Sequence, residues 1–187
     1  MLVLKIATYL WVKCLLLIAV KYFYADHKIW LRVMNDFDFV DFNQVNPEGF
    51  ISILNDDSLR AHLIDHAYFD ITTMREWMEK KAQINSIPGC RIRAVLIEGD
   101  LKGWCGIQPD DSGFEIAIVI TKDAWGSGLS IFKELMCWAK TLGHKEIIFH
   151  LLDTRPSYRF IERKAKKVKK TELMGRMFTS YIIAIDR

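Results

Sequence analysis

The sequence predicts a mixed α/β domain whose strands pair mostly as antiparallel hairpins, and three observations carry that expectation. Two are hairpin signals: apolar runs meet at Gly99-Asp100 and again at Gly175, where glycine tolerates the positive φ of a tight turn. The third is Glu115 to Ser130, an apolar strand that passes through Gly126-Ser127-Gly128 directly into an amphipathic helix.

Taken in order, Ile29 to Val33 alternates apolar and polar residues well enough to be a first strand. A helical region is expected next. Phe37, Val40 and Phe42 open it, Pro47 interrupts it, and Phe50, Ile53 and Leu54 carry its apolar stripe towards Leu63, with Asp56 or Asp57 as a cap. Ile71 to Lys80 starts a second helix, capped by Thr72 or Thr73, that ends before Pro88-Gly89. Arg91 to Glu98 and Leu101 to Ile107 form the first hairpin, Asp110 to Gly113 makes a turn, and Phe114 to Thr121 is the next strand. The helix beyond the glycine corner presents Leu129, Phe132, Leu135, Met136, Ala139 and Leu142 as one buried stripe, and Gly143 closes it. Glu146 to Leu152 is a further strand. Pro156 opens a helix over Ser157 to Lys164, and Lys167 to Leu173 with Met177 to Ile185 make a terminal hairpin.

With 187 residues, 51% of them apolar, the chain fits one domain with a full-sized core. A net charge of +3 and a pI near 8.6 fall short of what would announce a nucleic-acid partner. Cys14, Cys90, Cys105 and Cys137 have neither zinc spacing nor disulfide density, so they read as reduced, mostly buried thiols of a cytoplasmic protein. His62 and His66 lack the glutamate that a zinc-protease helix requires; they read as structural, and no metal is expected. The six basic residues within Arg163 to Lys170 read as a solvated helix end and strand before a polyanion site.

Residues 1–28 form an apolar extension ahead of the domain at 29–187. Leu2 to Tyr24 is interrupted by Lys5, Thr8, Lys13 and Lys21, and no uninterrupted apolar run exceeds seven residues. A bilayer span would place Lys13 near its middle, at about 2.5–3.5 kcal/mol. A packed or dimer-forming helix, a peripheral membrane contact through residues 1–24 and an upstream start are the readings left, with the membrane contact the less favoured.

The strand, glycine corner and helix have the makings of an anion site. Glycines permit positive φ and close approach, and a helix N-terminus presents unpaired N–H groups and the positive end of its dipole. A pyrophosphate is the natural guest. The dinucleotide fingerprint would need a glycine where Ile131 stands, and the Walker loop would need Gly-Lys-Ser/Thr, so neither of those motifs fits.

The order of elements resembles the GNAT acetyltransferases, particularly the branch similar to the ribosomal-protein N-terminal acetyltransferases. The match is carried by Ile29 to Val33, the paired early helices at Asp57 to Leu63 and Thr73 to Glu79, the corner at Glu115 to Ser130, and Ser157 to Ala165. The resemblance implies a single-domain GNAT fold with splayed fourth and fifth strands and acetyl-CoA lying in the wedge. Ile118, Val119 and Ile120 would line the pantetheine arm. Trp125, Gly126, Ser127, Gly128, Leu129 and Ser130 would surround the pyrophosphate, with Thr154 and Ser157 near the pantetheine. The implied reaction is direct acetyl transfer to a primary amine of a small molecule or protein. Glu115 is the first choice for the base, acting through water, His150 is the reserve, and Tyr158 is the nearby candidate proton donor. Ile161 stands where many relatives carry the tyrosine that acts as general acid, and Lys164-Ala165-Lys166 replaces an apolar-glycine-aromatic end. Those departures keep a second reading open, an acyl-CoA-binding module with weak or no transfer.

Overall fold

The computed structural model describes residues 37–155 and 157–185. The expected strand Ile29 to Val33, the apolar extension, Cys14 and Pro156 lie outside those residues. Strands β1 (Phe37–Val40), β2 (Arg91–Ile97), β3 (Asp100–Asp110), β4 (Gly113–Ile120), β5 (Glu146–Leu152), β6 (Ala165–Leu173) and β7 (Arg176–Ala184) form a seven-stranded sheet in the order β1-β2-β3-β4-β5-β7-β6. From β2 onward neighbours pair antiparallel, except that β4 and β5 run parallel.

Turn chemistry accounts for the hairpins. Glu98 (φ 54°) with Gly99 (φ 84°), and Met174 (φ 49°) with Gly175 (φ 73°), put both central residues of a two-residue loop at positive φ. That is the turn whose twist matches paired strands. Asp110 closes the next loop by accepting from the Ser112 amide at 3.0 Å, and the resulting register sets Gln108 opposite Glu115.

The early region departs from expectation in two ways. Phe37, Val40 and Phe42 do not open a helix: Phe37–Val40 is a strand and Phe42–Gln44 a 3-10 turn. Aromatic and β-branched residues favour the pleated sheet, and Phe39 packs edge-on against Trp138 at 5.2 Å. Pro47 starts a helix instead of interrupting one, because at the first helical position its missing N–H costs nothing. This helix, α1 (Pro47–Leu54), is capped by Asn46, and the single-turn α2 (Asp57–Arg60) by Asp56.

Helix α3 (Ile71–Asn85) is capped by Asp70, two or three residues before the expected threonines. Thr73 completes the capping box from the third position, where its hydroxyl accepts from the Asp70 amide at 2.9 Å. Against α1 and α3 one sheet face buries Ile92, Ala94 and Trp104 with Phe42, Phe50, Met74 and Met78. Helix α4 (Gly128–Thr141) buries Ile131, Phe132, Leu135, Trp138 and Ala139. Leu129, expected in that stripe, is 43% exposed, because it sits in the first turn beside the glycine corner; Met136 and Leu142 are only partly buried. Helix α5 (Arg159–Lys164) starts later than expected, since Tyr158 ahead of it is extended.

Cys90 and Cys105 are buried, and burial pushes both thiols up, away from reactivity; Cys137 is exposed. Asp38–Arg187 make up one compact unit. No helix among the described residues is long and apolar enough to cross a membrane.

Gly103 fixes the approach of β3 to β4. It has φ 147°, and a Cβ there would lie 2.0 Å from the Val119 carbonyl oxygen. Gly103→Ala is therefore expected to lower stability by about 2 kcal/mol or more. A urea midpoint equal to that of the unaltered protein would show that this contact does not constrain the sheet.

Candidate active site

The parallel pair β4 and β5 is joined only at Glu115 with Ile148 and Ile116 with Phe149. Both strands continue beyond that point, β4 to Ile120 and β5 to Leu152, so their ends diverge. Along the same stretch β4 stays paired with β3, from Ala117 opposite Gly106 to Ile120 opposite Gly103. The β5-facing backbone of residues 117–120 thus borders a wedge, not another strand. A cavity of about 570 Å³ occupies it, lined by Ile118, Val119 and Ile120 on one side and Leu151, Leu152 and Tyr158 on the other.

At its open end the wedge meets the glycine corner. A 3-10 turn, Lys122–Ser127, leads into α4, and no side chain caps that helix at Ser127. Neither Gly126 nor Gly128 has positive φ, which corrects the expected reason for their presence: Gly128 is helical at φ −55° and ψ −34°. What they supply is room. A Cβ built on either would meet nothing within 4 Å, so the space in front of the helix N-terminus is open to a ligand.

Aromatic and basic side chains complete this end. The Trp125 indole donates to the Ile120 carbonyl at 3.3 Å, with the Arg155 guanidinium 4.7 Å from its ring centroid and the His62 ring 5.6 Å away. Burial, helped by the Arg155 charge, lowers the His62 pKa, and its Nδ1 lies 3.3 Å from Thr154 Oγ1. His62 and His66 both line the cavity, and His66 is also held locally by Arg60. Ser130, Thr154 and Ser157 are exposed. The sequence reading missed Arg155, which stands in a loop without a motif.

A polar cluster fills the closed end. Glu115 Oε1 accepts from Gln108 Nε2, and Gln108 Oε1 in turn accepts from Lys81 Nζ at 2.6 Å. Glu115 Oε2 lies 3.6 Å from His150 Nε2, which is 3.2 Å from Asp110 Oδ1. On the other side of the ring, His150 Nδ1 lies 2.7 Å from Ser180 Oγ, which in turn lies 2.7 Å from Thr171 Oγ1. Both ring nitrogens are thereby engaged. The His150 side chain is 8% exposed, against 22% for Glu115.

Burial raises the pKa of Glu115, opposed by its hydrogen bond from Gln108 and by the charges of His150 and Lys81. Burial works against Asp110 as well, yet hydrogen bonds from Ser112 and His150 outweigh it and hold that carboxyl below its usual range. Lys81 is pushed down to about 8 by burial, partly offset by the Glu115 charge. Donor atoms of Asp110, Glu115 and His150 lie within 4.8 Å of one another, close enough to share one small cation or, equally, a proton on the imidazole. Lys81, Gln108 and Asp110 were not singled out from the sequence. Gln108 could have been found by counting across the Asp110 to Gly113 turn, whereas the reach of Lys81 from α3 leaves no local signal.

Solved structures share this architecture. A protein of Bordetella pertussis assigned to the GNAT-family acetyltransferases aligns with a TM-score of 0.63 at 13% identity, over 80% of this chain and 96% of its own. The spermidine N-acetyltransferase of Vibrio cholerae, crystallised with CoA and spermine, aligns at 0.60 and 14%, over 80% of this chain and 96% of its own. The ribosomal-protein-alanine N-acetyltransferase of Brucella melitensis gives 0.55 and 14%, over 79% and 96%. No family model matches the chain, and no curated protein matches it in sequence. The fold is that of the GNAT acetyltransferases, as the order of elements in the sequence implies.

Proposed function

We propose that the protein is an acetyl-CoA-dependent N-acetyltransferase that transfers acetyl directly to a primary amine. The observation that carries this reading is the β4–β5 wedge: it has unpaired backbone on one wall, an uncapped helix N-terminus with two side-chain-free glycines at its mouth, and a carboxylate at its closed end. A thioester carried on a pyrophosphate-bearing arm suits each of these parts. Backbone of residues 118–120 would pair with the amide-bearing arm, and N–H groups around Gly126 and Gly128 would receive the phosphates, with the Arg155 charge nearby.

Glu115 takes the proton of the attacking amine. Burial has raised its affinity for that proton, while Gln108 fixes one carboxylate oxygen and leaves the other towards His150. His150 is a positioning residue in this scheme, since both of its nitrogens are committed within the protein. Tyr158 lines the β5 side of the wedge and is the group assigned to return a proton to the thiolate. Ile161, where relatives carry a tyrosine, is 2% exposed and packed into the core.

Release of free thiol from acetyl-CoA in the presence of an amine panel tests the reading, with CoA binding followed by calorimetry on the same sample. Thiol release that depends on an amine is expected. Tight CoA binding with no turnover on any amine would favour the binding module, and absence of CoA binding would remove both readings.

A further inference from the structure

The acceptor half of the cavity contains an amine of the protein's own. Lys81 is the one lysine among the described residues that lines the cavity, in continuity with Glu115 and the β4 wall. Its Nζ lies 4.2 Å from the Trp104 ring centroid and 5.8 Å from that of Trp77, a setting that suits a cation but gives no carboxylate in direct contact. A single amide, that of Gln108, separates this nitrogen from Glu115, because Gln108 accepts from Lys81 and donates to Glu115. The arrangement holds an amine one side chain away from the carboxylate proposed as the base. The register makes it rigid, since Gln108 and Glu115 face one another across β3 and β4.

We propose that Lys81 is a self-acetylation site, modified by the acetyl donor that occupies the wedge when no amine substrate is present. This rests on the acetyltransferase reading. The neutral Nζ keeps one N–H towards Gln108 and attacks the thioester carbon with its lone pair. The C–N bond forms and the C–S bond breaks; the surplus nitrogen proton passes to Glu115 through water, since Gln108 stands between the two groups, and the thiolate leaves as CoA on taking a proton from Tyr158, which solvent restores as Glu115 releases its own. The products are Nζ-acetyl-lysine and free CoA. A depressed pKa of about 8 gives Lys81 a far larger neutral fraction near pH 7 than an exposed lysine, which titrates at about 10.4. Once acetylated, residue 81 carries no charge to oppose the burial of Glu115 and fills part of the acceptor space, so amine turnover falls as the modification accumulates.

Incubating the full chain with acetyl-CoA and no amine, then measuring acetyl occupancy peptide by peptide by mass spectrometry, tests this directly. Lys166, Lys167 and Lys169, all exposed on β6, serve as controls within the same molecule for acetylation that needs no site. Lys81 is expected to react at least about tenfold faster than these, given its larger neutral fraction. Glu115→Gln should slow Lys81 and leave the β6 lysines unchanged. CoA titration on the same sample separates the two ideas: if CoA binds but Lys81 reacts no faster than the β6 lysines, self-acetylation is overturned and the enzyme reading stands. If CoA does not bind, both are overturned.

Discussion

Glu115→Gln is expected to lower kcat by about 10²–10⁴, the usual contribution of a positioned general base, while leaving CoA affinity within a few-fold. The carboxylate lies at the closed end of the wedge, where β4 is still paired with β5, and away from the glycine corner that would hold the phosphates. Glutamine preserves the local packing: its carbonyl oxygen can accept from Gln108 as Glu115 does. A folded but slow enzyme is the predicted product. The pH profile gives a second readout. Burial raises the Glu115 pKa, so the base becomes active only as pH climbs above the ordinary carboxylate range, and kcat should rise with pH through that raised value. The linkage has the opposite sign for stability. A carboxyl that holds its proton more tightly folded than unfolded stabilises the fold most at low pH, and that contribution is lost as pH rises through the folded pKa. Glu115→Gln should thus remove the acidic limb of the rate profile. A variant that keeps the rate of the unaltered enzyme across that limb would take Glu115 out of the mechanism.

His150 stands beside this carboxylate and is held from both sides. From the sequence it stands on β5 as a reserve base. In the structure Ser180 and Asp110 engage its two nitrogens, and Phe178 packs edge-on to the ring at 6.3 Å. Residues 150 and 180 are cross-strand partners in β5 and β7, a pairing fixed only when the terminal hairpin docks on the centre of the sheet. Sequence reasoning found the hairpins because their turns are local: Gly99 and Gly175 stand where positive φ is needed. It found the corner for the same reason, although Gly126 and Gly128 have no positive φ and instead leave open space around them. The early region was less legible. Phe37 to Phe42 is apolar enough for helix or strand, and the choice falls to partners such as Trp138, a hundred residues on. Lys81 was invisible for a similar reason: nothing in Arg75 to Lys81 distinguishes it from Lys80, which is exposed, until the fold sets it over Trp104.

Gly126→Val should weaken CoA binding by about 3 kcal/mol, roughly a hundredfold in Kd, with little effect on folding. The two halves of that expectation have separate causes. For stability, residue 126 lies in an exposed 3-10 turn without positive φ, and a Cβ there touches nothing within 4 Å, so no strain or clash opposes a side chain. For binding, that same empty space is where a phosphate would approach the N–H groups ahead of α4. Branched methyls would hold it beyond hydrogen-bond distance, at the cost of one or two charge-assisted bonds of about 1.5–3 kcal/mol each. Gly126→Ala, with a single methyl, should fall between the two. Calorimetric titration with CoA alongside a thermal midpoint separates these effects: a large loss of affinity at an unchanged midpoint is the expected pair. Gly103 provides the contrasting case, a glycine whose Cβ would strike backbone at 2.0 Å, where substitution should lower the midpoint instead. If Gly126→Val binds CoA as tightly as the unaltered protein, the phosphates do not lie at this corner, and the wedge must hold some other ligand.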